Sequence, residues 1–364
     1  MDFTTSIFGD FAKFRYGKMP KKSSVKENGK YPIYSGYRYV GYYDEYNTEA
    51  NQLIIVARGV GGTGDVKLTK EKCYLTNLSI SVEIDTSIAL PEYLYYYFSI
   101  RNLRYLDSGS AQSQITISDL ARVEIPLPNI EIQKKIVHCL GVLDRKISAN
   151  EAINDNLEQQ ARTLYQRMFI DNPVSEGYMG TLSDIADITM GQSPNGSSYN
   201  EDGNGAVFFQ GRAEFGFRFP SVRLYTTEPK RMACANDTLM SVRAPVGDLN
   251  VAYTDCCIGR GLAAIHSKSN QQSFVLYTMF SLHKQLDVFN GEGTVFGSIN
   301  RTALTELPIF IPSDREIVKF EAIVAPIDAA IRNNYEEICR LEKIRDALLT
   351  KLMSGELDVS AIEL

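Results

Sequence analysis

The spacing of apolar residues changes along this chain, and the changes divide it. In the first 128 residues the pattern is short. Leu53-Ile54-Ile55-Val56-Ala57 is an unbroken apolar run that predicts a buried strand, stopped by Arg58-Gly59-Val60-Gly61-Gly62. Leu78 to Ile84 alternates apolar and polar positions, as a half-buried strand does. Pro91-Glu92-Tyr93-Leu94 predicts a helix with proline in its first turn. Behind Pro128 the period lengthens. Leu143, Ile147, Asn150, Asn154, Leu157, Ala161, Leu164 and Met168 recur at steps of four and three, a heptad seam containing two asparagines. It predicts a long helix capped by Asn129 and ended near Asp171-Asn172-Pro173.

The same sequence of patterns then repeats. Residues 125–169 and 309–353 align without a gap at an offset of 184, pairing Pro128 with Pro312, Asp144 with Asp328, Asn150 with Asn334 and Leu157 with Leu341. The second seam is Ile327, Ile331, Asn334, Ile338, Leu341, Arg345, Leu348 and Leu352. Ser313-Asp314-Arg315-Glu316 predicts a capping box at its start, and Gly355 predicts its stop. Between the seams, Asp184, Gly191 and Pro194 fall where Asp10, Gly17 and Pro20 fell, and Leu239 to Arg243 echoes Ile54 to Arg58. The expected organisation is α+β with a pseudo-twofold internal repeat. Residues 1–128 and 178–312 form two domains; residues 129–177 and 313–364 hold two long helices. Neither helix can bury its seam alone, so the two are expected to pack as an antiparallel coiled coil with one domain at each end. Asn150 and Asn334 either set its register or face solvent.

Composition narrows the class. The chain has 364 residues, 44% hydrophobic and 23% charged, enough for two or three ordinary domains. No apolar run reaches membrane-spanning length, and the first residues do not read as a secretory signal. Six cysteines form no C-x-x-C and there are only three histidines, which argues against a disulfide framework or a metal site. No Ser/His/Asp set or phosphate loop stands out. Phe289-Asn290-Gly291-Glu292-Gly293 matches the F-x-G-x-G of S-adenosylmethionine enzymes but lacks the strand before it and the helix after it.

The net charge of −6 argues weakly against a nucleic-acid protein, yet charge is unevenly placed. Acid collects in residues 313–364. Base collects between Lys13 and Lys30, where Arg15, Lys18, Lys21 and Lys22 are phosphate candidates or a solvated loop. The tyrosine-rich stretch Tyr31–Tyr46, with Tyr34 and Arg38, can bond to phosphates or pack strands. Arg58 and Arg243, at matched strand ends before glycine-containing turns, can reach guanine edges or pair with acids. Gln210, Arg212 and Arg218 alternate with phenylalanines, which suggests a hairpin with one polar face carrying base-edge readers. Gln192, Arg260 between two glycines, and the turns holding Gln112, Gln114 and Ser298 complete the candidates.

Ile125-Pro126-Leu127-Pro128 through Ile136, with Leu143-Asp144, recurring as Ile311-Pro312, Ile327-Asp328 and Leu341, resembles the DNA specificity subunits of type I restriction–modification systems. Leu182-Ser183-Asp184-Ile185 with Gly191-Gln192-Ser193-Pro194, and Lys30 to Gly36, add to the resemblance, which covers nearly the whole chain. It departs at Ile317, where the first copy has Gln133. The resemblance implies a cytoplasmic, non-catalytic subunit whose two target-recognition domains read the halves of a split double-stranded DNA site, with the helices as spacer. It implies two methyltransferase subunits and restriction/translocase subunits as partners, which would carry S-adenosylmethionine, ATP and Mg. The rival readings are a stand-alone DNA-modifying enzyme, such as an adenine methyltransferase, and a helical protein-binding scaffold.

Overall fold

The structure is a computed structural model, and it describes residues 2–36, 38–59, 62–107, 113–171, 176–291 and 297–362. The chain divides into two compact units, residues 1–149 with 337–364 and residues 150–336. Each has its own mixed α+β core, and each contains part of both long helices, Ile130–Tyr165 and Asp314–Ser354.

In the first unit a four-stranded antiparallel sheet runs Ala12–Tyr16, Ser79–Ile84, Leu53–Val56, Val66–Leu68. All four side chains of Leu53–Val56 are buried, as the apolar run predicts. In the second unit the order is Ala186–Met190, Leu262–Ser267, Thr238–Ser241, Leu249–Val251, the same topology. A two-stranded ribbon closes each recognition region: Phe3–Ile7 pairs with Glu124–Pro128, and Gly177–Thr181 with Pro308–Pro312. In these ribbons Ile125 and Leu127, and likewise Ile309 and Ile311, face inward. Pro126 and Pro128 in one ribbon and Pro308 and Pro312 in the other stand on a strand whose other edge needs no ladder donor. Helices Pro91–Ile100 and Gln272–Ser281 cover the sheets at matching places.

What differs is a second sheet. The first unit has three strands, Arg38–Tyr43, Tyr31–Ser35 and Tyr74–Leu75. The second has five, in the order Tyr199–Asn200, Leu224–Thr226, Ala206–Phe209, Cys256–Ile258, Met232–Ala233. Both share a parallel pair, Ile33 beside Tyr74 and Phe208 beside Cys257. The extra residues of the second copy therefore build strands as well as loops.

Within each unit the two helix segments run antiparallel. In the first unit Asp144 meets Arg345 and Lys146 meets Glu337. In the second, Asn334 donates to Asn154 at 2.8 Å, and Asn154 donates to the Ile331 carbonyl at 3.4 Å. Asn150 and Asn154 are buried and Asn334 is half-buried, so the seam asparagines face the interior. Ile147 and Ile331 are buried; Leu143, Leu157, Leu164, Ile327, Leu341 and Leu348 are half-buried. On the first helix the fully buried line runs Asn150, Asn154, Glu158, Ala161, Tyr165, Phe169. It drifts off the heptad positions Leu157 and Leu164 because this face also packs on the recognition region.

The first helix is capped as expected, Asn129 accepting from the Ile132 amide at 3.0 Å. Its last turn is a π-helix, Gln166–Asp171. The second helix stops at Gly355, whose φ of +78° suits glycine. The capping box expected at Ser313 is not formed: Ser313 Oγ has no partner among the described residues, and Glu316 turns to Lys319. A capping box stands instead at Thr181 and Asp184.

Candidate nucleic-acid interface

In each unit one tight turn draws together segments that lie far apart in sequence. In the first unit the turn is Leu75–Ser79. Leu75 accepts from the Lys18 amide at 3.0 Å, Ser79 from Gly17 at 3.0 Å, and Leu78 from Ala57 and Arg58 at 2.8 and 3.2 Å. The Thr76 amide donates to Tyr34 at 3.0 Å, and Ile115 binds back to Ala57 at 2.9 Å. In the second unit the turn is Ile258–Leu262. Gln192 donates to Ile258 at 2.9 Å, Gly191 to Leu262 at 2.9 Å, and Val242 to Gly261 at 3.0 Å. Gly261 donates to Gln210 at 3.3 Å, and Ile299 to Val242 at 3.1 Å. Four of these bonds correspond at matching positions: those donated by Gly17 and Gly191, Lys18 and Gln192, Ala57 and Val242, and Ile115 and Ile299.

Glycine is required at this crossing. A Cβ on Gly17 would lie 2.4 Å from the Leu75 carbonyl, and one on Gly191 2.1 Å from that of Gly259. Backbones this close leave only side chains pointing outward from the rim. On the first unit's rim stand exposed Lys18, half-buried Tyr34 and half-buried Arg58, with Gln114 bridged to Arg58. On the second stand exposed Gln192, Gln210, Arg243 and Arg260, with exposed Ser298 bridged to Arg243. In the sequence these residues belong to strand ends, turns and an expected hairpin far apart; the fold gathers them.

Arg58 lies over the Tyr16 ring with its guanidinium carbon 6.0 Å from the centroid, and its buried Nε has no partner among the described residues. Arg15, Lys21, Lys22 and Arg38 are exposed nearby in sequence, though Lys26 is held by Asp44 at 2.7 Å. Arg15 lines a polar cleft of about 740 Å³ with Lys13, Tyr31 and Tyr46. Several tyrosines of this stretch pack on one another, Tyr31 on Tyr46 and Tyr43 on Tyr74, so strand packing accounts for much of the tyrosine run. Gln112 and its neighbours Ser110 and Ala111, like Thr294 to Phe296, lie outside the described residues.

Two expectations are corrected. Arg218 is not on a polar surface. It is 4% exposed and bonded to Glu158, Asp328 and Tyr277. The hairpin partner of Phe208 is Leu224, not the Phe217–Phe219 segment, which crosses into the core without strand pairing. Arg212 does reach the surface but is paired with Asp248.

Among the described residues Cys234, Asp237 and His266 form the one cluster of metal-ligand type. Both Asp237 oxygens are already engaged, one by the Cys234 amide at 2.8 Å and one by the His266 ring at 2.5 Å, which pins a turn to a strand. Burial pushes the Cys73 and Cys256 thiols up to about 12, so neither offers a thiolate near neutral pH. The residues before Phe289 are helical, without the strand that a methyltransferase motif needs. No helix among the described residues is long and apolar enough to cross a membrane.

Residues 2–159 match the model of the type I restriction modification DNA specificity domain. The putative type I restriction enzyme MjaX specificity subunit of Methanocaldococcus jannaschii is 32% identical over 292 residues, covering 74% of this chain and 68% of its own. A putative type I specificity subunit of Mycoplasma pneumoniae is 24% identical, with 96% of each chain covered. The crystal structure of a type I restriction–modification S subunit from M. genitalium shares the fold, with a TM-score of 0.65, 20% identity and 96% of each chain covered. The repeated frame, the matched crossings and this kinship agree: the chain belongs to the DNA specificity subunits of type I restriction–modification systems, the non-catalytic members of those systems.

Proposed function

We propose that this subunit reads a split, asymmetric site on double-stranded DNA, one half with each unit, and directs methyltransferase and restriction/translocase subunits to it. Two methyltransferase subunits dock on the helices, and S-adenosylmethionine, ATP and Mg bind to the partners in the cytoplasm. The observation that carries this reading is the matched crossing. A shared set of backbone hydrogen bonds presents Lys18, Arg58 and Gln114 in one unit and Gln192, Arg243, Arg260 and Ser298 in the other. A common frame with different side chains is what one job on two targets requires. Arginine and glutamine are suited to guanine and adenine edges, and lysine to phosphate.

The test is methylome sequencing of the host with and without the gene. One bipartite methylated motif is expected to vanish on deletion and to return with the gene. Deletion without any lost motif would refute the reading. Methyl transfer by the purified chain alone would favour a stand-alone enzyme.

A further inference from the structure

The buried Arg218 belongs to a mount that the two units build in parallel but complete differently. In each unit a tyrosine of the covering helix donates to an aspartate of a long helix. Tyr96 reaches Asp144 at 2.5 Å, and Tyr277 reaches Asp328 at 2.9 Å. The aspartates are repeat partners. Each also takes an arginine, but from different places.

In the first unit the arginine is Arg345, on the other long helix, 3.1 Å from Asp144. That cation ties helix to helix, and the recognition region joins through Tyr96. The repeat partner of Arg345 is Ala161, which is fully buried and carries no charge. In the second unit the cation comes instead from the recognition region. Arg218 puts Nη1 3.1 Å from Asp328 on one long helix and Nη2 2.9 Å from Glu158 on the other. One guanidinium therefore fastens the second recognition region to both helix segments at once. A planar fork does this where a single ammonium cannot. Its burial makes the contact directional, because any tilt would strand a charge away from water.

Resting on the split-site reading above, we propose that Arg218 is the positioning residue that fixes the angle of the second recognition region on its helix pair, and thereby the spacer length the subunit accepts. It does not touch DNA. It limits how far the second set of readers can swing toward a half-site that is one base pair too near or too far.

The experiment uses the full chain assembled with its methyltransferase subunits. Methylation is measured on duplexes with the same half-sites and spacers one base pair shorter, cognate and one longer. Wild type is expected to prefer the cognate spacer. Arg218→Met, which keeps length and removes the fork, is expected to reduce that preference at least about threefold with half-site sequences unchanged. Arg218→Lys, which can hold one acid at a time, is expected to fall between. Tyr277→Phe removes only the hydroxyl and should relax the preference in the same direction, so it serves if Arg218→Met does not fold.

Loss of folded protein alone lowers all three rates together and leaves their ratio intact. An unchanged ratio in both Arg218→Met and Tyr277→Phe would therefore overturn the proposal while the split-site reading stands. A wild type indifferent to spacer length would overturn both.

Discussion

Single residues show how two copies of one frame diverge without losing a function. Gln133 is fully buried at the start of the first long helix. Its carboxamide accepts from the Leu90 amide at 2.9 Å and donates to the Ile88 and Pro128 carbonyls. It holds the entry to the covering helix. At the repeat position stands Ile317, which cannot. One turn further, Glu321 accepts from the Ser273 and Phe274 amides at 3.2 and 2.9 Å and does the same work. The departure at Ile317 is thus a shift of the cap by four residues. The shift buries a carboxylate, and burial holds Glu321 above its usual range despite the two amides. An acid so raised adds stability in full below its ordinary value near 4.5 and loses that contribution as pH rises through its folded value. Glu321→Gln should therefore gain stability relative to wild type as pH climbs from about 4.5 to neutral, read by denaturant melts at each pH. A difference that stays flat with pH would count against this account. Glu321→Ala should cost about 1–3 kcal/mol by leaving the amides unpaired. At the crossings, Arg58→Ala and Arg243→Ala should each weaken discrimination at a different half-site by about 1–3 kcal/mol. Methylation of half-site variants checks this, and equal loss at every base would mark both as phosphate contacts.

Among elements, the long helices were the most legible from sequence, and the reason is physical. A heptad pattern is written in consecutive residues, so the helices follow from spacing, while the asparagines, open between register and solvent in the sequence, are turned inward by the packing. The buried strand Leu53–Val56 and the helix behind Pro91 were equally local signals. The crossings were not legible, because they depend on contacts between residues about twenty to seventy positions apart. The matched Gly17 and Gly191, and Arg58 and Arg243 at matched strand ends, are their trace in the sequence. Arg218 misled because alternation with phenylalanine describes a hairpin face and a buried crossing equally well. The seam asparagines lead to a prediction about the helices themselves. Asn154→Leu leaves the Asn334 amide without its acceptor in a partly closed seam and should cost about 1–3 kcal/mol. Asn154→Leu with Asn334→Leu should recover most of that loss, since two apolar side chains need no partner. If the double variant melts as low as the single one, the asparagine pair is not the unit that holds the seam.

At the scale of the whole molecule, the boundary between units crosses both long helices, after Ala149 on one and after Glu336 on the other. The chain can be lengthened there without disturbing either unit's own contacts. Asp144 with Arg345 stays on one side, and Asn154 with Asn334 stays on the other. Inserting seven residues at both points preserves the heptad phase and adds about 10 Å at ~1.5 Å per residue. If the helices are the spacer, the methylated motif should keep both half-sites and gain about three base pairs between them, at ~3.4 Å per pair. Replacing residues 177–312 with those of another specificity subunit moves both strands of the Gly177–Thr181 and Pro308–Pro312 ribbon together, so the closing pair stays matched. That exchange should change one half-site and leave the other half and the spacer as they were. The two outcomes separate the parts of the molecule: length in the helices, sequence in the recognition regions. A seven-residue insertion that altered half-site sequence, or an exchange that altered both halves, would show that the frame does not keep these tasks apart.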